Sequence, residues 1–400
     1  MDIKMNGLSG RSVLKAALIC LPAAFILQRH LFPTKTSKII KSPKQRALSS
    51  LSPKELSSLP YPPDALPGSR DVPTPYGNVH VFEFGPSTGE RVLFLHGLST
   101  PCVSAANTAV ALAAKGYRVM LFDLFGRGWS DTPDPEEFDY DERLFASQIM
   151  MVLASSEASW MGSASAGGNG GFHIIGYSLG GGLAVNFASW FPHLARSLVL
   201  VAPSGLLKRS DISWRTRLLY SRSWLAEKLL HYFYRRRLEP KYIAIEEGSD
   251  SDIKKTGDPF DDAVILPARP DITAASIMSW HLLQHEGFVS AIISTLRYAP
   301  IYERYEEWSR LGSMLSARRK DLRLPGLIGG KVLLVFGSSD EITRKEKILP
   351  DAEDILSSDA LRVEVLEAGH EVGITKGAEV AEVANKFWIE SVQHKASTQI

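Results

Sequence analysis

From residue 78 onward, short apolar runs alternate with amphipathic stretches along the 400-residue chain. NVHVFEFG (Asn78–Gly85) alternates apolar and polar positions as a half-buried strand does. RVLFLHG (Arg91–Gly97) is a continuous apolar run that ends at a turn. ANTAVALAAKG (Ala106–Gly116) follows with helical spacing and a glycine where a helix C-terminus accepts one. YRVMLFD (Tyr117–Asp123) predicts a buried strand, and DERLFASQIMMVLASS (Asp141–Ser156) an amphipathic helix opened by acidic residues at its positive end. The rhythm continues with the strand FHIIG, the helix LGGGLAVNFASWF (Leu179–Phe191) and the strand SLVLVAP (Ser197–Pro203).

There the alternation stops. Between about residues 206 and 325 the chain reads as helical and charged, with Trp, Tyr and Arg scattered through it. It resumes in KVLLVFG (Lys331–Gly337), LRVEVLEAG (Leu361–Gly369) and a final helix, AEVAEVANKFWIESV (Ala378–Val392). Continuous apolar strands alternating with helices imply an α/β protein whose mostly parallel sheet is covered on both faces. The predicted core is therefore residues 71–205 and 326–400, interrupted by a helical insertion at 206–325. GSASAGGNGG (Gly162–Gly171) reads as a small loop without chemistry.

The N-terminal part follows different rules. No Asp or Glu occurs from Ile3 to Lys54, while ten Lys and Arg residues do. Ala16–Leu27 is uninterrupted and apolar, shorter than the roughly 20 residues of a spanning helix. Residues 1–32 are expected to be a targeting segment: a short membrane anchor with basic flanks, or alternatively an acid-poor mitochondrial transit peptide. Residues 33–70, rich in Pro, Ser and Lys without periodicity, read as a linker.

Composition narrows the chemistry. Lys and Arg number 45 against 44 Asp and Glu, so the whole chain has no electrostatic preference for nucleic acid. The two cysteines, Cys20 and Cys102, make neither a disulfide framework nor a metal-ligand spacing. Cys102 is expected to be a passive thiol.

The candidate chemistry lies in FHIIGYSLGGG (Phe172–Gly182), where a predicted strand runs through Gly-x-Ser-x-Gly into a predicted helix. That context points to a strained strand-to-helix turn exposing Ser178 as a nucleophile, with Gly176 and Gly180 relieving the crowding. The backbone N–H of Leu179, at the helix start, faces where a negative oxygen would develop. A hydroxyl needs a general base. His370, in LEAGHEVG after the last strand, is that candidate, and Asp340 in FGSSDE is its orienting acid, with Glu341 the neighbouring rival. A second oxyanion donor is expected in LHGLST, at the N–H of Leu98; His96 there is expected to shape the loop.

The pieces LHGLS, LFDLFGRGWSD (Leu121–Asp131), GYSLGGG, LVLVAPSG, FGSSDE and AGHEVG, in this order, resemble the α/β-hydrolase superfamily. The form resembles its capped serine hydrolase branch, which includes lipases, esterases, carbon–carbon bond hydrolases and proline-directed aminopeptidases. The resemblance implies an α/β-hydrolase fold with an inserted helical cap and a Ser178–His370–Asp340 triad. It further implies oxyanion donors at Leu98 and Leu179 and chemistry without metal or organic cofactor. Asp123 and Arg127 are then expected to be scaffold. The expected activity is hydrolysis of a carboxylic ester on an apolar or lipid-like small molecule. Carbon–carbon bond hydrolysis and amide or iminopeptide hydrolysis are alternatives, and a membrane-tethered binding protein on the same fold is the non-enzymatic one. Trp280, Phe288 and Tyr298 hint at an apolar pocket under the cap, although such residues more often form plain core.

Overall fold

The computed structural model describes residues 38–46, 48–162, 171–211, 224–242 and 255–398. A two-residue strand, β1 (Ile39–Ile40), and a short helix, α1 (Pro53–Ser57), precede β2 (Ser69–Thr74), β3 (Gly77–Phe84) and β4 (Arg91–Leu95). Then come α2 (Ala106–Ala114), β5 (Arg118–Phe122), β6 (Thr132–Pro133), α3 (Glu142–Ala154), β7 (Phe172–Tyr177), α4 (Leu179–Trp190) and β8 (Ala195–Val201). After β8 the chain forms α5 (Trp224–Leu238), a hairpin of β9 (Val264–Leu266) and β10 (Arg269–Thr273), α6 (Ala274–Gln284), α7 (Phe288–Tyr298) and α8 (Tyr305–Lys320). It closes with β11 (Val332–Gly337), α9 (Lys345–Leu356), β12 (Leu361–Leu366), α10 (Val372–Thr375) and α11 (Gly377–Thr398).

Eight strands form one sheet in the order β12-β11-β8-β7-β4-β5-β3-β2. The pairs from β12 through β5 are parallel, and β3 pairs antiparallel with both β5 and β2. Each central strand sends alternate side chains into two cores. On β11, Val332, Leu334 and Phe336 join the core beneath α3, α4, α8 and α9. Leu333 and Val335 join the opposite one with α2 and α11. That two-sided burial is why these strands read as unbroken apolar runs.

Two expected boundaries change. The segment 33–70 is not a linker from residue 38 on. Ile39 and Ile40 pair with Pro133 and Thr132, and Asp131 accepts from Ser42 N at 2.8 Å and Lys41 Nζ at 3.1 Å. Ser52 caps α1 in a reciprocal capping box with Glu55. Tyr61 is fully buried. The segment packs through isolated anchors rather than a periodic face, so no hydrophobic repeat announced it. The insertion also ends before residue 325. Trp308, Leu311 and Leu315 of α8 are fully buried in the same core as α4, which makes α8 a covering helix of the sheet.

The expected targeting segment 1–32 and most of the Gly162–Gly171 loop lie outside the described residues. Among the described residues no helix is long and apolar enough to cross a membrane.

Candidate active site

Parallel register aligns the C-terminal ends of neighbouring strands, and the candidate residues sit just beyond them. Leu95 lies opposite Gly176, and Gly337 opposite Leu366. Ser178 follows β7 with φ 52° and ψ −114°, a left-handed conformation that costs a non-glycine residue about 1–3 kcal/mol. The neighbourhood holds it there. Ser178 N donates to Val201 O at 2.9 Å, and its carbonyl accepts from Gly181 N at 2.9 Å and Ser204 N at 3.0 Å. The glycines permit close approach: a Cβ on Gly176 would lie 2.3 Å from Gly180 O, and one on Gly180 would lie 1.9 Å from Leu95 O. They let α4 press against β7 and the loop after β4, which a side chain at either position would prevent.

Three distant segments meet at this rim. His370 Nε2 lies 3.0 Å from Ser178 Oγ, and His370 Nδ1 lies 2.9 Å from Asp340 Oδ2. An ionised carboxylate only accepts, so Nδ1 carries the proton and Nε2 presents its lone pair to the serine hydroxyl. Asp340 is buried and fully engaged. Oδ1 accepts from Ile342 N at 2.7 Å and Thr343 N at 2.8 Å, and Oδ2 accepts also from Thr343 Oγ1 at 2.7 Å. Burial pushes its pKa up, but the bonds from His370 and Thr343 outweigh this and leave it below the ordinary aspartate value. Glu341, the rival, is exposed. The Tyr177 hydroxyl donates to His370 O at 2.7 Å, and Phe260 stacks on the imidazole with centroids 6.1 Å apart.

The loop after β4 lies against the serine. A Cβ on Gly97 would come 3.6 Å from Ser178 Cβ. Leu124 N donates to His96 Nε2 at 2.9 Å, so Nδ1–H of His96 donates to Gly97 O at 2.8 Å. The peptide so gripped carries the Leu98 N–H at its other end. Burial, helped by Arg127, holds the His96 pKa down to about 3, so the ring stays neutral. Arg127 Nε donates to Leu98 O at 3.1 Å. Leu179 is the first residue of α4, where an N–H has no intrahelical acceptor.

The Asp123–Asp131 turn proves to be more than scaffold for the rim: the insertion fastens to it. Gly128 N donates to His281 Nε2 at 2.7 Å, and His285 Nε2 donates to Ser130 O at 3.0 Å. Arg127 Nη2 reaches Thr295 Oγ1 on α7 at 2.7 Å. Burial holds His285 down to about 4. On the other side of the turn, Asp123 accepts from Cys102 N and Trp129 N, both at 2.9 Å, and from the Tyr61 hydroxyl at 3.0 Å. Burial raises the Cys102 thiol pKa well above its ordinary value, consistent with a passive thiol. Trp280 packs on Trp129 at 4.9 Å, and Phe288 stacks on His281 at 4.4 Å. Both are buried core; Tyr298 is half-buried.

Sequence reading missed Tyr61, Phe260, His281 and His285. The two histidines stand four apart, His281 in α6 and His285 capping its C-terminal end, a spacing that does not say what they face. Among the described residues no cluster of His, Cys, Asp and Glu suits a metal ion.

Known proteins bear on this geometry. The alpha/beta hydrolase fold profile matches residues 90–377. An uncharacterized protein of Mycobacterium tuberculosis is 30% identical over 152 residues, 38% of this chain and 40% of that protein. A serine hydrolase-like protein of Danio rerio is 29% identical over 136 residues, 34% of this chain and 38% of that one. The match thus spans less than half the length of these curated relatives. The structure of a putative aryl esterase from Burkholderia cenocepacia superposes with a TM-score of 0.52 at 16% identity, over 81% of this chain and 99% of that one. With the profile running from just before β4 to the first residue of α11, and the strand order to match, the chain belongs to the α/β-hydrolase fold family.

Proposed function

We propose that the protein is a serine hydrolase acting on carboxylic esters with an apolar acyl or alcohol part. One observation carries the reading: Ser178, held at positive φ, stands 3.0 Å from a histidine that an engaged aspartate orients at 2.9 Å.

Ser178 Oγ attacks the ester carbonyl as His370 Nε2 takes its proton. Asp340 keeps the Nδ1–H tautomer and stabilises the imidazolium that forms. The tetrahedral oxyanion accepts from the N–H groups of Leu98 and Leu179, which need no reorientation at that moment. Collapse expels the alcohol, protonated by His370, and leaves an acyl-Ser178. Water, deprotonated by His370, then releases the acid and restores the serine. The insertion between β8 and α8 serves as the cap that sets substrate choice. Phe260, stacked on His370, gives the leaving-group side an apolar wall.

The test is labelling with a fluorophosphonate probe, followed by turnover of short- and long-chain esters. Modification at Ser178 with ester hydrolysis, both lost in Ser178→Ala with unchanged melting, is the expected result. Labelling without ester turnover redirects the reading to amide or carbon–carbon substrates, and no labelling supports a binding protein. We further propose membrane association through Ala16–Leu27 and its basic flanks. A fluorescent fusion of residues 1–54 that stays diffuse in the cytosol overturns it.

A further inference from the structure

Arg127 is fully buried, yet among the described residues no carboxylate lies within ion-pair distance of it. Its donors go to three neutral oxygens: Leu98 O at 3.1 Å, Phe125 O at 2.8 Å and Thr295 Oγ1 at 2.7 Å. A buried guanidinium without a carboxylate partner is costly even with these bonds and the Tyr140 ring 6.0 Å from its central carbon, and burial draws its pKa down to about 10. A scaffold turn has no need of such a group, because an apolar side chain would fill the same volume at lower cost. What the arginine alone supplies is reach in three directions at fixed angles.

Those directions join parts far apart in the chain. The Leu98 oxygen belongs to the loop beside Ser178, and Thr295 belongs to helix α7 of the insertion. The helix is seated hard against the turn: a Cβ on Gly126, whose φ is +74°, would lie 2.3 Å from Ala291 Cβ. One helical turn on, the Thr295 hydroxyl donates to Ala291 O at 2.7 Å, which turns its lone pair toward Arg127. A planar guanidinium bonded at both ends transmits displacement rather than absorbing it.

We propose that Arg127 is a positioning residue that couples the seating of helix α7 to the Leu98 loop. The oxyanion site is then fully formed only while the insertion is closed on the turn. This rests on the serine hydrolase reading for its catalytic consequence, though not for the coupling itself. Substrate that settles the helix thereby completes the site that activates it, and an unseated helix leaves hydrolysis slow.

The experiment uses the full chain with Thr295→Val, Arg127→Lys and Arg127→Gln. Thr295→Val breaks the far end of the link and, with it, the hydroxyl's bond to Ala291 O, while leaving Arg127 and its bond to Leu98 O in place. It is expected to lower kcat about tenfold with KM changed less than about twofold, because a misplaced oxyanion donor is felt in the transition state. Arg127→Gln is expected to cost about a hundredfold or more, approaching loss of an oxyanion donor, with partial rescue in Arg127→Lys. Phosphonylation of Ser178 should slow in parallel. Amide hydrogen exchange over residues 96–101 should quicken in Thr295→Val whatever the substrate. Wild-type kcat together with unchanged exchange in Thr295→Val overturns the proposal, even if the arginine variants do not fold. Quickened exchange in a protein that neither labels nor hydrolyses preserves the coupling and defeats the hydrolase reading instead.

Discussion

Asp340→Asn is a nearly isosteric change whose outcome follows from which oxygen sits where. Oδ1 accepts two backbone N–H groups, from Ile342 at 2.7 Å and Thr343 at 2.8 Å. An amide NH2 there would face two backbone donors that cannot reverse. At the Oδ2 position the Thr343 hydroxyl and the imidazole can both turn to accept, so the asparagine places its oxygen at Oδ1. Its nitrogen then occupies the Oδ2 position, 2.9 Å from His370 Nδ1. Facing a donor, Nδ1 must accept, which moves the imidazole proton to Nε2. That nitrogen then points an N–H at Ser178 Oγ, and the base is gone without any movement of atoms. The expected loss in kcat is about four orders of magnitude. That corresponds to about 5 kcal/mol of transition-state stabilisation. KM should stay within about twofold, and thermal melting should fall little because every heavy-atom contact survives. The assay is steady-state hydrolysis of a p-nitrophenyl ester that wild type turns over, beside the rate of fluorophosphonate labelling. Glu341→Gln, at an exposed side chain, serves as control and should match wild type. An Asp340→Asn enzyme within tenfold of wild-type kcat refutes the tautomer argument and with it the role given to Asp340.

Two further outcomes test the frame around the site. Tyr61→Phe removes a hydroxyl that donates to buried Asp123 at 3.0 Å, and should cost about 1–3 kcal/mol in urea unfolding. An unchanged urea midpoint would return residues 38–66 to the status of a tether. The buried histidines make stability pH-dependent: His285 is held down to about 4 and His96 to about 3, both neutral in the fold. Below about 6.5 the unfolded chain binds protons there that the folded chain refuses, so stability is lost as pH falls from about 6.5 toward 4. His285→Gln retains a donor for Ser130 O and should flatten part of that loss. A urea midpoint falling as steeply in the variant as in wild type counts against it.

Much of the sheet is readable from apolar runs because strands covered on both faces leave no polar interruptions. Ser178 is readable because a glycine-flanked serine between a strand and a helix has few structural excuses. His370 and Asp340 are readable as residues just past the last two parallel strands. What escapes has a common physical cause. Residues 39–61 hold on through single anchors, Ser42 on Asp131 and Tyr61 on Asp123, which make no period. Helix α8 looks solvent-facing by composition, YEEWSRLGSMLSARRK, yet buries Trp308, Leu311 and Leu315 along one stripe. Phe260 and the pair His281 and His285 gain meaning only from partners far away in sequence, and a single chain does not name those partners.

The manner in which the insertion is fastened has a consequence for what can replace it. Two of its attachment points on the turn, Gly128 N and Ser130 O, are main-chain atoms that a side-chain change leaves in place, proline at Gly128 excepted. At these two points the socket is set by the backbone and the complementary side chains come from the insertion, whereas Arg127 and Trp129 add contacts of the turn's own to Thr295 and Trp280. A foreign segment that offers an acceptor at the place of His281 and a donor at the place of His285 meets the same two requirements. A replacement that meets those two points but offers nothing at the place of Thr295 would dock on the turn and still leave one arm of Arg127 without its partner.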